Sequence, residues 1–198
     1  NFFGGNMRTA KSNKSKTKIQ VNNNKMPVCI FDIFKTVIFL FAIISIVFTF
    51  FIKDVNIDGE SMKDTLIDGD KVVLTNFLYN PQVGDIVAID ADQQIGKIII
   101  KRVIATEGQT IKIDYDNGKV IVDGIVLDED YVASPTVKPT IGWEIPETIP
   151  EGYVFVMGDN RSVSLDSRSG SIQLIPKTMV MGKAQFVLYP FNHFKYLY

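Results

Sequence analysis

The hydrophobic positions of this chain form one long unbroken block followed by many short alternating ones. From Thr36 to Ile52 the sequence reads TVIFLFAIISIVFTFFI without a charge, bracketed by Lys35 and Lys53. At about 1.5 Å per residue this helix-length run covers roughly 25 Å, slightly less than the roughly 30 Å hydrocarbon core of a bilayer. Ile30, Phe31, Ile33 and Phe34 extend it if the Lys35 amine snorkels toward headgroups. Seven of the 14 Phe residues fall between positions 31 and 51, where a soluble domain would spread them through its core. A buried core helix or a removable signal sequence are the alternatives, but a cleavage site needs small residues and Lys53-Asp54-Val55-Asn56 follows. The pattern therefore predicts a transmembrane signal anchor over 30–53, preceded by a basic tail over 1–29 and followed by a folded domain over 54–198.

In the domain the period changes to that of strands. Lys71–Leu74, Asp85–Ile89 and Ile98–Ile104 are short β-branched runs, with Asn80-Pro81 and Gly84 as punctuation. Thr110–Tyr115 alternates apolar and polar residues, turns through Asn117-Gly118, and returns as Lys119–Val122 to a second turn at Asp123-Gly124, which predicts a hairpin. Residues 133–150 contain four of the eight prolines and read as irregular loop, so an insert is expected over about 106–150. Tyr153–Met157 and Val180–Leu188 supply late strands. With no long amphipathic helix after the anchor, the fold class is mainly β, an antiparallel domain carrying a small hairpin insert.

Charge sharpens this division. Residues 1–53 hold eight Lys/Arg against Asp32 alone, a net +7; subtracting from the totals of 21 and 22 leaves 13 minus 21, or −8, for the rest. The basic excess lies in a polar tail rather than on a folded face, which argues against nucleic acid as a partner. By the positive-inside rule it places the tail in the cytoplasm and the domain across the membrane. The tail, rich in Asn, Lys, Ser and Thr, has too little apolar periodicity to offset ordering entropy and is expected to be disordered. Cys29 is the single cysteine, so no internal disulfide forms. The chain begins at Asn1, and Met7 is a second candidate for its start. The C-terminal stretch from Phe186 to Tyr198 carries six aromatics, expected to pack on the domain or to sit at a membrane interface.

Few residues offer chemistry. His193, the only histidine, lies five residues before Tyr198 and reads as a tail residue, and one His with one Cys cannot form a typical zinc site. No cofactor or metal is implied. A nucleophilic hydroxyl would then need lysine as its base. A lysine with a free pKa near 10.4 is neutral about once in 2,500 at pH 7, so its pKa must fall, and lowering it by about three units costs roughly 4 kcal/mol of differential solvation. Lys101 fits, sharing a strand face with Ile99 and Val103 while Arg102 faces the other way with Ile98, Ile100 and Ile104. By pattern alone the Lys-Arg pair is more often an edge-strand gatekeeper than a catalytic site.

Four motifs in order decide between these readings. Asp58-Gly59-Glu60-Ser61-Met62-Lys63-Asp64-Thr65-Leu66 resembles the Ser-Met box of type I signal peptidases. Gly84–Val87 is similar to their second strand box, Lys101–Ile104 to their lysine box, and Gly158-Asp159-Asn160-Arg161 through Asp166-Ser167-Arg168 to their late Gly-Asp-Asn-Arg box. The resemblance covers roughly residues 30–190 and implies a membrane-bound serine endopeptidase that removes signal peptides from exported preproteins, with small residues before the cut. It further implies Ser61 as nucleophile, Lys101 as general base, and Ser164 hydrogen-bonded to the Lys101 amine. Asp166 and Arg168 would be a buried bracing pair, Asp159, Asn160 and Arg161 would shape their turn, and Met62, Gly59 and Glu60 would lie at the cleft. The implied partners are signal peptides, the lipid bilayer of the plasma membrane and the nearby translocation machinery. A single anchor and compact insert look Gram-positive. This chain departs from the family in having Asp64 where the Ser-Met box has Pro, Ala105-Thr106-Glu107-Gly108 in place of Gly-Leu-Pro-Gly, and Gly59 where some relatives place an oxyanion serine. Two rivals remain. A repressor-type Ser-Lys autoprotease would need a DNA-binding head, and a non-catalytic assembly factor for surface proteins would lack Ser61 or Lys101.

Overall fold

The structure, a computed structural model, describes residues 25–132 and 134–197. Most of the expected tail lies outside the described residues. Two units are distinguished, 1–44 and 45–198.

Helix α1 covers Lys25–Phe51, starting earlier than the apolar block predicts; it begins in the first unit and its last residues belong to the second. Every described side chain from Ile30 to Ile46 is exposed, including Phe39 and Phe41 at 66% and 70%. Thr36 and Thr49 donate their hydroxyls to the carbonyls of Asp32 and Ser45, four residues back, at 2.9 and 2.8 Å. The Lys35 amine lies 4.3 Å from the Phe31 ring centroid and 4.0 Å from Asp32. Among the described residues no helix is long and apolar enough to cross a membrane.

The second unit is the antiparallel β domain that the short alternating runs predict. Its strands are β1 (Ile52–Asn56), β2 (Lys71–Thr75), β3 (Ile86–Ala91), β4 (Lys97–Thr106), β5 (Ile111–Asp114), β6 (Lys119–Val122), β7 (Ile125–Val126), β8 (Tyr153–Met157), β9 (Ile175–Pro176), β10 (Val180–Tyr189) and β11 (Lys195–Tyr196). The main sheet has the order β1-β2-β10-β3-β4-β8-β9, with β11 on β10, and β5-β6-β7 form a small second sheet. The anchor pattern had absorbed Ile52 and Lys53. They are instead the start of β1, because pairing of Ile52–Asn56 with Thr75–Lys71 satisfies their backbone and Lys71 reaches Asp54 at 3.0 Å.

The hairpin forms where Asn117-Gly118 predicts it, with Asp114 opposite Lys119. Gly118 is needed twice over: its φ is +65°, and a Cβ there would lie 2.8 Å from the Pro135 Cβ. The second turn adds β7, since Asp123 and Gly124 take φ of 51° and 78° and close a two-residue loop. The small sheet is fixed to the main one by apolar contact of Ile111, Val120 and Val122 with Ile104, Phe155 and Met157. Strand β4 lies inside the sheet with both faces covered, which is why Ile99, Ile100, Val103 and Ile104 are all buried. The gatekeeper reading of Lys101-Arg102 is excluded by burial, since a gatekeeper's charge stays in solvent and these two residues are 3% and 6% exposed.

The C-terminal stretch packs on the domain. Strand β11 pairs Tyr196 with Phe186, Leu197 is buried beside Val72 and Val187, and His193 Nδ1 lies 2.8 Å from Asp70 Oδ1. The rings of Tyr189, Phe191, Phe194 and Tyr196 nonetheless remain exposed.

Candidate active site

The loop between β1 and β2 presents Ser61. Its base is closed by Ile57 N–H donating to Asp70 O at 2.8 Å and Gly69 N–H to Ile57 O at 3.0 Å. Gly59, at φ +98°, turns the chain while its N–H donates to Asp68 Oδ1. One helical turn follows, in which Leu66 N–H donates to Met62 O at 2.7 Å. Met62 and Leu66 lie on one side of that turn and are both buried against Ile57, Ile86 and Ile100, so apolar packing fixes the direction in which Ser61 points. Asp64 takes φ +76° in this turn. Proline is confined to φ near −65°, so the residue usual in the Ser-Met box would not fit this backbone.

Lys101 comes from the middle of β4. Its side chain is 3% exposed, and its Nζ lies 2.7 Å from Ser61 Oγ and 2.9 Å from Ile100 O. Burial pushes the amine down to about 8, with Lys97 and Arg168 adding to the fall and the carboxylates of Asp166 and Asp159 opposing it. An ammonium that loses its hydration shell without a carboxylate in direct contact favours the neutral form.

The turn after β8 braces both residues. Asp166 accepts from Arg168 Nε and Nη2 at 2.8 and 2.9 Å, and from Gly158 N–H at 3.0 Å. Arg168 also donates to Val137 O and Arg161 O. Asn160 reaches back to the nucleophile loop, its N–H donating to Ser61 O at 3.0 Å and its side-chain amide to Glu60 O at 3.2 Å. Arg161 donates to Gly158 O and Thr136 Oγ1 and pairs with Glu129, which ties the insert to the site.

Ser164 is placed beside the dyad but not in the expected contact. Its hydroxyl is buried without a hydrogen-bond partner among the described residues, while the Lys101 amine contacts Ser61 Oγ and Ile100 O. It stacks instead on Gly158, where an added Cβ would lie 2.3 Å from Ser164 Oγ and 2.4 Å from Ser61 O. Gly158 is thus a clearance residue, a role that its place in the late motif did not disclose. Arg102 was also missed. Its Nε and Nη2 donate to Asp159 at 2.9 and 2.7 Å, its Nη1 donates to Gly84 O, and its guanidinium stacks 3.9 Å above the Tyr131 ring. Thr65 donates to the same Asp159. The only signal for this was that neighbours on a strand face opposite ways, so a residue beside Lys101 must find its own partner on the other face.

Ser61 and Lys101 sit at one end of a cleft of about 320 Å³. One bank is residues 55–62 and the other 95–101, with Val163 and Leu165 beside the dyad. Met62 is its floor, since its side chain is 1% exposed, whereas Gly59 and Glu60 are on the rim. Residues 97–101 pair with β3 on one edge, but pairing with β8 begins only at Arg102, leaving a strand edge without a strand partner along the cleft. Among the described residues no cluster of three His, Cys, Asp or Glu side chains could hold a metal ion.

A family profile described as signal peptidase, peptidase S26, matches residues 30–189. A signal peptidase I of Bacillus licheniformis is 32% identical over 84% of this chain and 92% of its own length. Signal peptidase IB of Staphylococcus aureus is 34% identical over 79% and 87%. The solved structure of a signal peptidase I from Enterococcus faecalis, at 28% identity, covers 53% of this chain and 97% of its own with a TM-score of 0.43. With the profile spanning most of the chain and relatives above 30% identity over more than three quarters of it, this protein belongs to the peptidase S26 family of signal peptidases and is a serine endopeptidase.

Proposed function

We propose that this protein is held in the plasma membrane by its apolar segment 30–53 and removes signal peptides from exported preproteins on the outer face, using Ser61 as nucleophile and Lys101 as general base. The observation that carries the reading is the buried Lys101 amine 2.7 Å from Ser61 Oγ. Neutral Lys101 takes the Ser61 proton as Oγ attacks the scissile carbonyl carbon. Backbone N–H groups at Ser61 hold the oxyanion, a task that falls to the backbone because position 59 is glycine. As the tetrahedral intermediate collapses, the ammonium returns the proton to the leaving amine of the mature protein. Water, deprotonated by the same amine, then releases the signal peptide from Ser61.

The substrate enters as an extended strand. Main-chain bonds to the strand edge at 97–101 supply affinity, and small residues one and three positions before the cut suit a cleft whose floor is filled by Met62. The anchor reading is supported by the uncharged run 36–52, by the exposed apolar side chains of α1 and by hydroxyls already satisfied within the helix. The +7 charge of residues 1–53 orients the N-terminus inward. In two dimensions enzyme and preprotein meet at high effective concentration, close to the translocation machinery that delivers the substrate. Cleavage of a preprotein by detergent-solubilised enzyme tests the reading: Ser61→Ala and Lys101→Met are expected to lose nearly all activity while staying folded. Robust cutting by the lysine variant would reject the dyad.

A further inference from the structure

An uncut preprotein does not end where the cleft ends. Ser61 and Lys101 stand at or next to the C-terminal ends of the two banks, 55–62 and 95–101, so an extended chain between the banks accounts for residues before the scissile bond. The residues after it must leave past the far side of Ser61. There Val163 and Leu165, both exposed, line the cleft and also line a second depression of about 280 Å³. The two hollows are therefore continuous across the 163–165 ridge.

The opposite wall of this second hollow is the insert segment 137–141. That wall is anchored to the site itself. Arg168 donates to Val137 O at 2.9 Å, Gly170 N–H donates to Ile141 O at 2.9 Å, and Gly142 is bridged to Ser169. Its charge is one-sided. No Asp or Glu lines the hollow, the cations of Arg161 and Arg168 are already met by Glu129 and Asp166, and exposed Lys138 has no ion-pair partner among the described residues.

We propose that this hollow receives the first residues of the mature protein after the cut, and that Lys138 makes it select acidic side chains there. The inference rests on the protease reading above and adds to it a determinant on the insert. A lone solvent-facing cation contributes modestly, so the discrimination expected between acidic and basic residues is about five-fold at low salt, and it shrinks as salt screens the pair.

The test uses full-length enzyme in neutral detergent with peptides identical up to the cut, carrying Asp, Ser or Lys at the second to fifth positions after it. The quantity read is the ratio of kcat/KM for acidic over basic peptides within each enzyme, in which any inactive fraction cancels. Wild type is expected to give about five, falling toward one in 0.5 M salt, and Lys138→Glu to give a ratio below one. Equal ratios in the two enzymes, with cutting still abolished by Ser61→Ala, would overturn the subsite and leave the protease reading standing. Failure of wild type to cut any peptide would overturn both.

Discussion

Replacing Lys101 by methionine should abolish cleavage and yet make the protein more stable at neutral pH. The amine titrates at about 8 in the folded chain against 10.5 when free. At about 1.4 kcal/mol per unit, carrying its proton into the folded state at pH 7 costs about 3 kcal/mol. Methionine matches the length of the buried stem without the charge, but it gives up the hydrogen bonds to Ile100 O and Ser61 Oγ, together worth about 2 kcal/mol. The net gain of about 1 kcal/mol corresponds to a rise in Tm of roughly 2–4 °C for a domain of this size. The gain must depend on pH with a definite sign. Between about 8 and 10.5 the unfolded chain binds the proton and the folded chain does not, so wild-type stability rises with pH across that window. The advantage of the variant is therefore full below pH 8 and fades toward pH 10.5. Trp143, the single tryptophan, donates Nε1–H to Ser167 O at 2.8 Å beside the site and reports unfolding by fluorescence. A variant that melts at or below wild type at pH 7, or whose advantage is unchanged at pH 10, would refute the claim that desolvation is what prepares this amine.

The same shift governs rate: kcat/KM should climb about ten-fold per pH unit and level off near 8, and a profile flat from pH 6 to 9 would exclude Lys101 as the base. Gly158→Ala should lose both activity and roughly 1–3 kcal/mol of stability, because its Cβ would press on the Ser61 carbonyl and on Ser164, and an active, equally stable variant would show that the turn has slack. Asp64→Pro, although it restores the residue usual in the family, should lower Tm by disrupting the φ +76° turn, whereas Asp64→Gly should not; equal melting of the two variants would mean the turn has another conformation.

The local pattern was sufficient for much of the architecture, because strand alternation and turn residues are decided by neighbours in the chain. The Asn117-Gly118 hairpin, the Asp123-Gly124 turn and the runs that became β2, β3, β4, β8 and β10 were legible for that reason. The expectation that Ser61 and Lys101 act together came from the order of four motifs and not from periodicity, which by itself favoured a gatekeeper at Lys101. Other features depend on residues far apart. Ile52 and Lys53 became strand because β2 was there to pair with them. Arg102 found Asp159 across 57 positions and Arg161 found Glu129 across 32, whereas the Ser164 hydroxyl, expected on the lysine, has no partner among the described residues. The need for glycine at 158 arises from two other segments crowding its Cα. Sequence alone could name the amine, but only burial, a property of everything packed around it, could move its proton affinity toward the range where it can act as a base.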